Sequence, residues 1–131
     1  MQLGFRVRVK DYKELKVWRK SIDLVKNIYS ILYEFPKEET YSLADQIKRS
    51  VISIPANIAE GSGRNTTKEF IQFLYIALGS TYELETHLLI STEICYLKNI
   101  EEIMFKLNEI KKMLNGLISS LKDKLKKDGV R

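Results

Sequence analysis

The chain has 131 residues, 44% of them hydrophobic, with a formal net charge of +5 and a single cysteine. That length holds one hydrophobic core rather than two, and one Cys with one His excludes an internal disulfide and the usual zinc spacings. The opening MQLGFRVRVKDY lacks the apolar centre of a signal peptide, and no apolar run approaches the roughly 20 residues that cross a bilayer, so a soluble, cytoplasmic protein with no membrane contact is expected.

Residues 1–11 are read as a basic N-terminal extension outside the domain; FRVRVK within it alternates like a short strand. Between Tyr12 and Phe35, Leu15, Trp18, Ile22, Val25, Tyr29 and Leu32 recur at steps of three and four, which predicts a helix. A second stripe, Val17, Leu24, Ile28, Ile31 and Phe35, lies beside it. Pro36 with the acids after it suits the entry to a second helix, because its missing N–H would be unbonded there anyway.

Leu43, Ile47, Val51, Ile54 and Ile58 carry the second helix through Pro55, where a bend is expected and where Asn57 is placed to satisfy carbonyls that the proline frees. Gly61 reads as a left-handed terminator and Gly63 as part of the reversal that follows. Thr66 with Glu69 forms a capping box for a third helix, expected from about Thr67 to about Tyr96. That helix is apolar nearly all round and so needs cover nearly all round. Asn99 is the expected cap of a fourth helix, whose series Ile100, Ile103, Leu107, Ile110, Leu114, Leu117, Leu121 and Leu125 leads into a frayed basic tail at 126–131.

Four helices joined by short connections predict an all-α, antiparallel up-down four-helix bundle over residues 12–125. The first and third helices offer more apolar stripes than such a bundle covers, which points to a homo-oligomer.

No constellation for catalysis, cofactor, metal or small-molecule substrate is apparent, and the chain is read as a non-enzyme. Gly61 and Gly63 fit neither a Walker loop nor a dinucleotide fingerprint. Glu83 and His87, one turn apart, fit a structural pair better than a proton-transfer dyad. The basic residues sit mainly at the chain ends: 1–26 hold eight Lys/Arg against three acids, and 122–131 hold five against two. That distribution suits a polyanion partner as well as plain solvation. The candidates for phosphate contacts to RNA or DNA are Arg6, Arg8, Lys10, Lys13, Lys16, Arg19, Lys20, Lys48, Arg49 and Arg64, with the lysine-rich tail. Trp18 reads as core rather than as a base-stacking ring.

LKVWRKSIDLVKNIY, the block QIKRSVISIPANIAEGSGR and the heptads of the fourth helix resemble the four-helix-bundle proteins encoded in intervening sequences of 23S ribosomal RNA genes, over roughly Tyr12 to Leu121. The resemblance implies a ring-shaped homopentamer, and kinship with the accessory variability determinant of diversity-generating retroelements, which binds nucleic acid and a reverse transcriptase. It implies no enzymatic activity. In this sequence Ile54 to Gly61 match the structural signature, while Arg49 and Arg64 match its basic positions. The function expected is a non-enzymatic oligomeric scaffold that binds nucleic acid through phosphates; the alternative is an interaction hub for a protein such as a reverse transcriptase.

Overall fold

The computed structural model describes residues 11–39 and 42–129, so Arg6, Arg8, Lys10 and the FRVRVK stretch lie outside the described residues. Four α-helices carry these residues, and no strand occurs among them: α1 (Lys16–Ile31), α2 (Leu43–Ser62), α3 (Thr67–Glu93) and α4 (Glu101–Lys127). Short 3-10 turns occupy Tyr12–Glu14, Leu32–Glu34 and Lys37–Glu39. Pro36 therefore precedes a 3-10 turn, and α2 starts only at Leu43, a correction to the expected helix entry.

The helices contact one another in cyclic order, α1 with α2, α2 with α3, α3 with α4 and α4 with α1. Cross-helix pairs show that neighbours run antiparallel. Lys48 of α2 stands over the Tyr29 ring near the end of α1, Ser53 bonds Ser80 at 2.7 Å, Lys111 bonds Glu85 at 2.8 Å and Lys122 bonds the Tyr75 hydroxyl at 2.6 Å. Between α1 and α4, Lys106 donates to Asn27 at 2.8 Å and Lys20 lies 3.4 Å from Glu109.

Of the two stripes on α1, the second makes the core: Val17, Leu24, Ile28 and the following Phe35 are buried. Trp18 and Val25 of the first stripe pack only partly against that core, Trp18 edge-on to Tyr12. The core continues through Ile47, Val51, Ile54, Ile58, Leu74, Leu84, Leu88, Leu107, Ile110 and Leu114, all inaccessible or nearly so. Burying each such side chain is worth roughly 1.5–3 kcal/mol relative to leaving it in water.

Pro55 is buried inside an unbroken α2. The Asn57 amide donates to the Ser53 carbonyl at 2.8 Å and the Ser53 hydroxyl at 2.9 Å, not to the Val51 carbonyl that the proline leaves without its N–H donor, so the expected repair is not the one made. Gly61 also departs from expectation. It lies within α2 and no left-handed conformation occurs there, the one positive-φ glycine among the described residues being Gly129. Its need is space: a Cβ at Gly61 would sit 2.6 Å from the Phe73 Cβ and 3.0 Å from Phe70. The helix ends at the next residue, Ser62, with Gly63 as its cap at φ −90°.

Thr66 caps α3 as expected, accepting from the Glu69 N–H at 3.1 Å. The other end closes by a Schellman arrangement, with the Tyr96 N–H on the Ser91 carbonyl at 2.8 Å and the Cys95 N–H on Thr92 at 3.1 Å. Cys95 takes the left-handed position, φ 67°, that glycine usually fills, so α3 stops at Glu93 and not near Tyr96. On α4 the cap is Ile100, with no side-chain bond, and not Asn99. The helix continues to Lys127 with Leu121 and Leu125 buried, so the first two residues of the expected tail are helical.

Candidate nucleic-acid interface

Antiparallel packing gathers chemistry that is far apart along the chain. The start of α1, the turn between α2 and α3 and the end of α4 lie at one end of the bundle. Residues 11–20, 60–69 and 122–128 at that end hold ten Lys/Arg against six acids. The opposite end, residues 34–39 and 93–102, holds Lys37 and Lys98 against Glu34, Glu38, Glu39, Glu93, Glu101 and Glu102. The molecule is therefore electrically polar along its long axis, with a basic pole and an acidic one.

The sequence candidates divide accordingly. Lys13, Lys16, Arg19, Lys20 and Arg64 come together at the basic pole, whereas Lys48 and Arg49 lie in the first half of α2, toward the acidic end. Several are already engaged. Arg19 donates to the Lys13 carbonyl at 3.1 Å and the Glu14 carbonyl at 2.9 Å, which ties the 3-10 turn at Tyr12–Glu14 to α1. Arg49 pairs with Asp45 at 2.9 Å. Arg64 pairs with Glu60 at 2.9 Å and lies 4.6 Å from the centre of the Phe73 ring, while its Nε is shielded without a hydrogen-bond partner. Lys20 faces Glu109 and Lys13 faces Asp11 at 3.9 Å. Such exposed pairs hold each cation weakly, by about 0.2–1 kcal/mol, and a phosphate competes with them readily.

Four lysines at the pole, Lys16, Lys124, Lys126 and Lys127, are exposed, and their ammonium groups make no hydrogen bond, ion pair or ring contact among the described residues. Lys16 lines a shallow cleft of about 320 Å³ with Arg19, Lys20 and Asp23. Lys124 and Lys127 line another of about 470 Å³ with Gly116, Ser119, Ser120 and Asp123. The α4 lysines are legible in sequence only as a tail; that α4 stays helical to Lys127, held by Leu125, is what places them beside α1 and the α2–α3 turn.

Among the described residues no three His, Cys, Asp or Glu side chains group as a metal site, and no helix is long and apolar enough to cross a membrane. His87 makes no hydrogen bond to Glu83: both of its ring nitrogens are shielded and lack a partner.

The two flanks of α3 differ. Toward α4, Tyr75 and Tyr82 lie under Lys122 and Lys111, each 5.0 Å from the ring centre. On the side that meets α2, one turn from Ser80, Ile76 remains 50% exposed, with Ile90 at 43% and Ile94 at 47% along the same side; Ile52 of α2, 45% exposed, lies one turn from Lys48, on the side of α2 that faces α1.

A family model described as 23S rRNA-intervening sequence protein matches residues 13–116. A crystal structure from Bacteroides thetaiotaomicron, described as a protein of unknown function from the S23 ribosomal protein family, is 30% identical to the chain with a TM-score of 0.72; the match covers 78% of this chain and 97% of that one. No curated protein matches.

Proposed function

From a chain that belongs to the family of 23S rRNA-intervening sequence proteins, we propose a non-catalytic scaffold that self-associates, as a ring of five, and holds RNA or DNA through its phosphates. The observation that carries the nucleic-acid half is the basic pole, where four lysines whose ammonium groups have no partner among the described residues stand next to two shallow clefts. Lysine ammonium groups of this kind neutralise phosphates and read no base edges, so the binding is insensitive to sequence. Supporting the self-association half is the row of Ile76, Ile90 and Ile94 along α3, each 43–50% exposed, because apolar side chains grouped on one face of a charged molecule mark a surface for another protein.

Repetition around a ring multiplies a contact that is weak in one copy, since each further pole engages the same strand at high effective concentration. Filter binding to a mixed-sequence RNA and to DNA, titrated with salt, tests the reading. Binding at low salt that falls log-linearly as salt rises is the expected result. No binding at low salt, or tight binding that ignores salt, overturns it.

A further inference from the structure

The flank of α3 toward α4 carries two tyrosines that the fold leaves open, Tyr75 at 41% and Tyr82 at 52% exposed. Seven positions apart, they share one face of the helix at a spacing of about 10.5 Å. Between them on that face lies Gly79, which is also exposed. A Cβ at Gly79 would meet nothing within 4 Å beyond its chain neighbours and the local backbone of α3, and its φ is not positive. Neither crowding nor backbone conformation calls for glycine there, and glycine weakens a helix interior. What it leaves is a bare strip of helix between two open rings, of the kind that lets a ligand approach closely.

Cations accompany both rings. Lys122 is exposed and donates to the Tyr75 hydroxyl at 2.6 Å, with its ammonium 5.0 Å from the ring centre. Lys126, one turn farther along α4, belongs to the basic pole, and its ammonium has no partner among the described residues. Lys111, only 14% exposed and held by Glu85 at 2.8 Å, fixes the Tyr82 ring in place while half of that residue stays open. The face that the tyrosines share with Gln72, Gly79 and Thr86 has no acid of its own; Glu83 and Glu85 flank it, the second paired with Lys111.

Resting on the nucleic-acid reading above, we propose that the ligand is single-stranded. Its backbone runs from the basic pole past Lys122 onto α3, two of its bases lie on Tyr75 and Tyr82, and Gly79 gives room to the nucleotides between them. Stacked nucleotides rise about 3.4 Å each along a strand, so the distance between the rings takes in about three steps. A duplex has its base faces covered by neighbouring bases and offers this surface phosphates alone. Stacking on an aromatic ring accepts any base, in keeping with lysines that read none. On binding, the Lys122 ammonium moves from the phenol to a phosphate, a stronger, charge-assisted acceptor, and the Tyr75 ring is released to a base.

Fluorescence anisotropy of a labelled mixed-sequence RNA, single-stranded or annealed to its complement, tests the proposal. Tyr75→Ala and Tyr82→Ala should each weaken single-strand binding about tenfold, the scale of one stacked base. Duplex affinity and the salt slope should stay as they are, because no charge is lost. Tyr82→Phe, which keeps the ring, should bind like the wild type. Gly79→Gln should melt at a higher temperature, since it improves the helix, and yet bind the single strand more weakly by a similar factor. If the alanine variants lose nothing, or lose equally on both forms, or if Tyr82→Phe is as weak as Tyr82→Ala, the stacking is overturned while phosphate binding stands. If Gly79→Gln keeps its single-strand affinity, or changes the particle mass in light scattering, the glycine serves another contact and the path along α3 is overturned. A wild-type chain that binds neither form at low salt overturns both this proposal and the reading it rests on.

Discussion

Cys95 holds the turn after α3 at φ 67°, a conformation that costs a non-glycine residue about 1 kcal/mol or more. The side chain is exposed, a free thiol, and makes no bond among the described residues that would offset the cost. Replacing it with glycine removes the strain but adds freedom to the unfolded chain. Cys95→Gly should therefore raise stability by about 0.5 kcal/mol, or about 2 °C in Tm by calorimetry, while Cys95→Ala, which keeps the Cβ, leaves Tm nearly unchanged. Nothing in the sequence announces a left-handed cysteine, since its neighbours continue the apolar rhythm to Tyr96. The Thr66 cap is legible, because Thr and Glu three residues apart before an apolar run carry their geometry within one turn. Arg64 illustrates the opposite case. Its position beside the α3 entry is visible in the sequence, but its engagement with Glu60 and Phe73 depends on where α2 and α3 set those groups.

At the scale of the helices, α2 and α3 approach most closely where Gly61 meets Phe73 and Phe70. A methyl group added there has no room, and overpacking of this kind costs about 1–3 kcal/mol. Gly61→Ala should lower the urea midpoint without changing the slope of the transition. Gly116→Ala on α4 is the matching control: beyond its chain neighbours and the local backbone of α4, nothing lies within 4 Å of the added Cβ, so helix propensity alone should raise stability by up to about 1 kcal/mol. A stabilised Gly61→Ala would mean that the two helices are free to move apart. In sequence this glycine reads as a turn residue because glycine before Ser-Gly usually is one. The decisive neighbours lie across the reversal, nine and twelve positions on, which a local pattern does not weigh. Similarly, periodicity displays both stripes of α1, but only the positions of α2 and α4 decide that the Val17, Leu24, Ile28 set is the buried one.

For the whole molecule, antiparallel topology turns two basic chain ends separated by most of the sequence into one pole. If nucleic acid docks there, Lys16→Gln with Lys124→Gln, Lys126→Gln and Lys127→Gln should weaken binding on every sequence. The salt dependence should flatten as well, by about 0.9 in slope for each duplex phosphate no longer neutralised, or about 0.7 on a single strand. Lys48→Gln with Arg49→Gln, away from the pole, should leave the slope as it is; the reverse outcome would move the interface to α2. The sequence by itself determined that the chain is helical, where most of its helices run, that α3 has more apolar surface than one bundle covers, and that charge accumulates at the chain ends. These properties follow from period, capping chemistry and composition, all of which act within a few residues. Only the tertiary structure decided which stripe is core, why Gly61 is a glycine, which cations share a pole, and which isoleucines stay exposed. Those depend on distances between residues remote in the chain, and the packing of four helices against one another is what sets them.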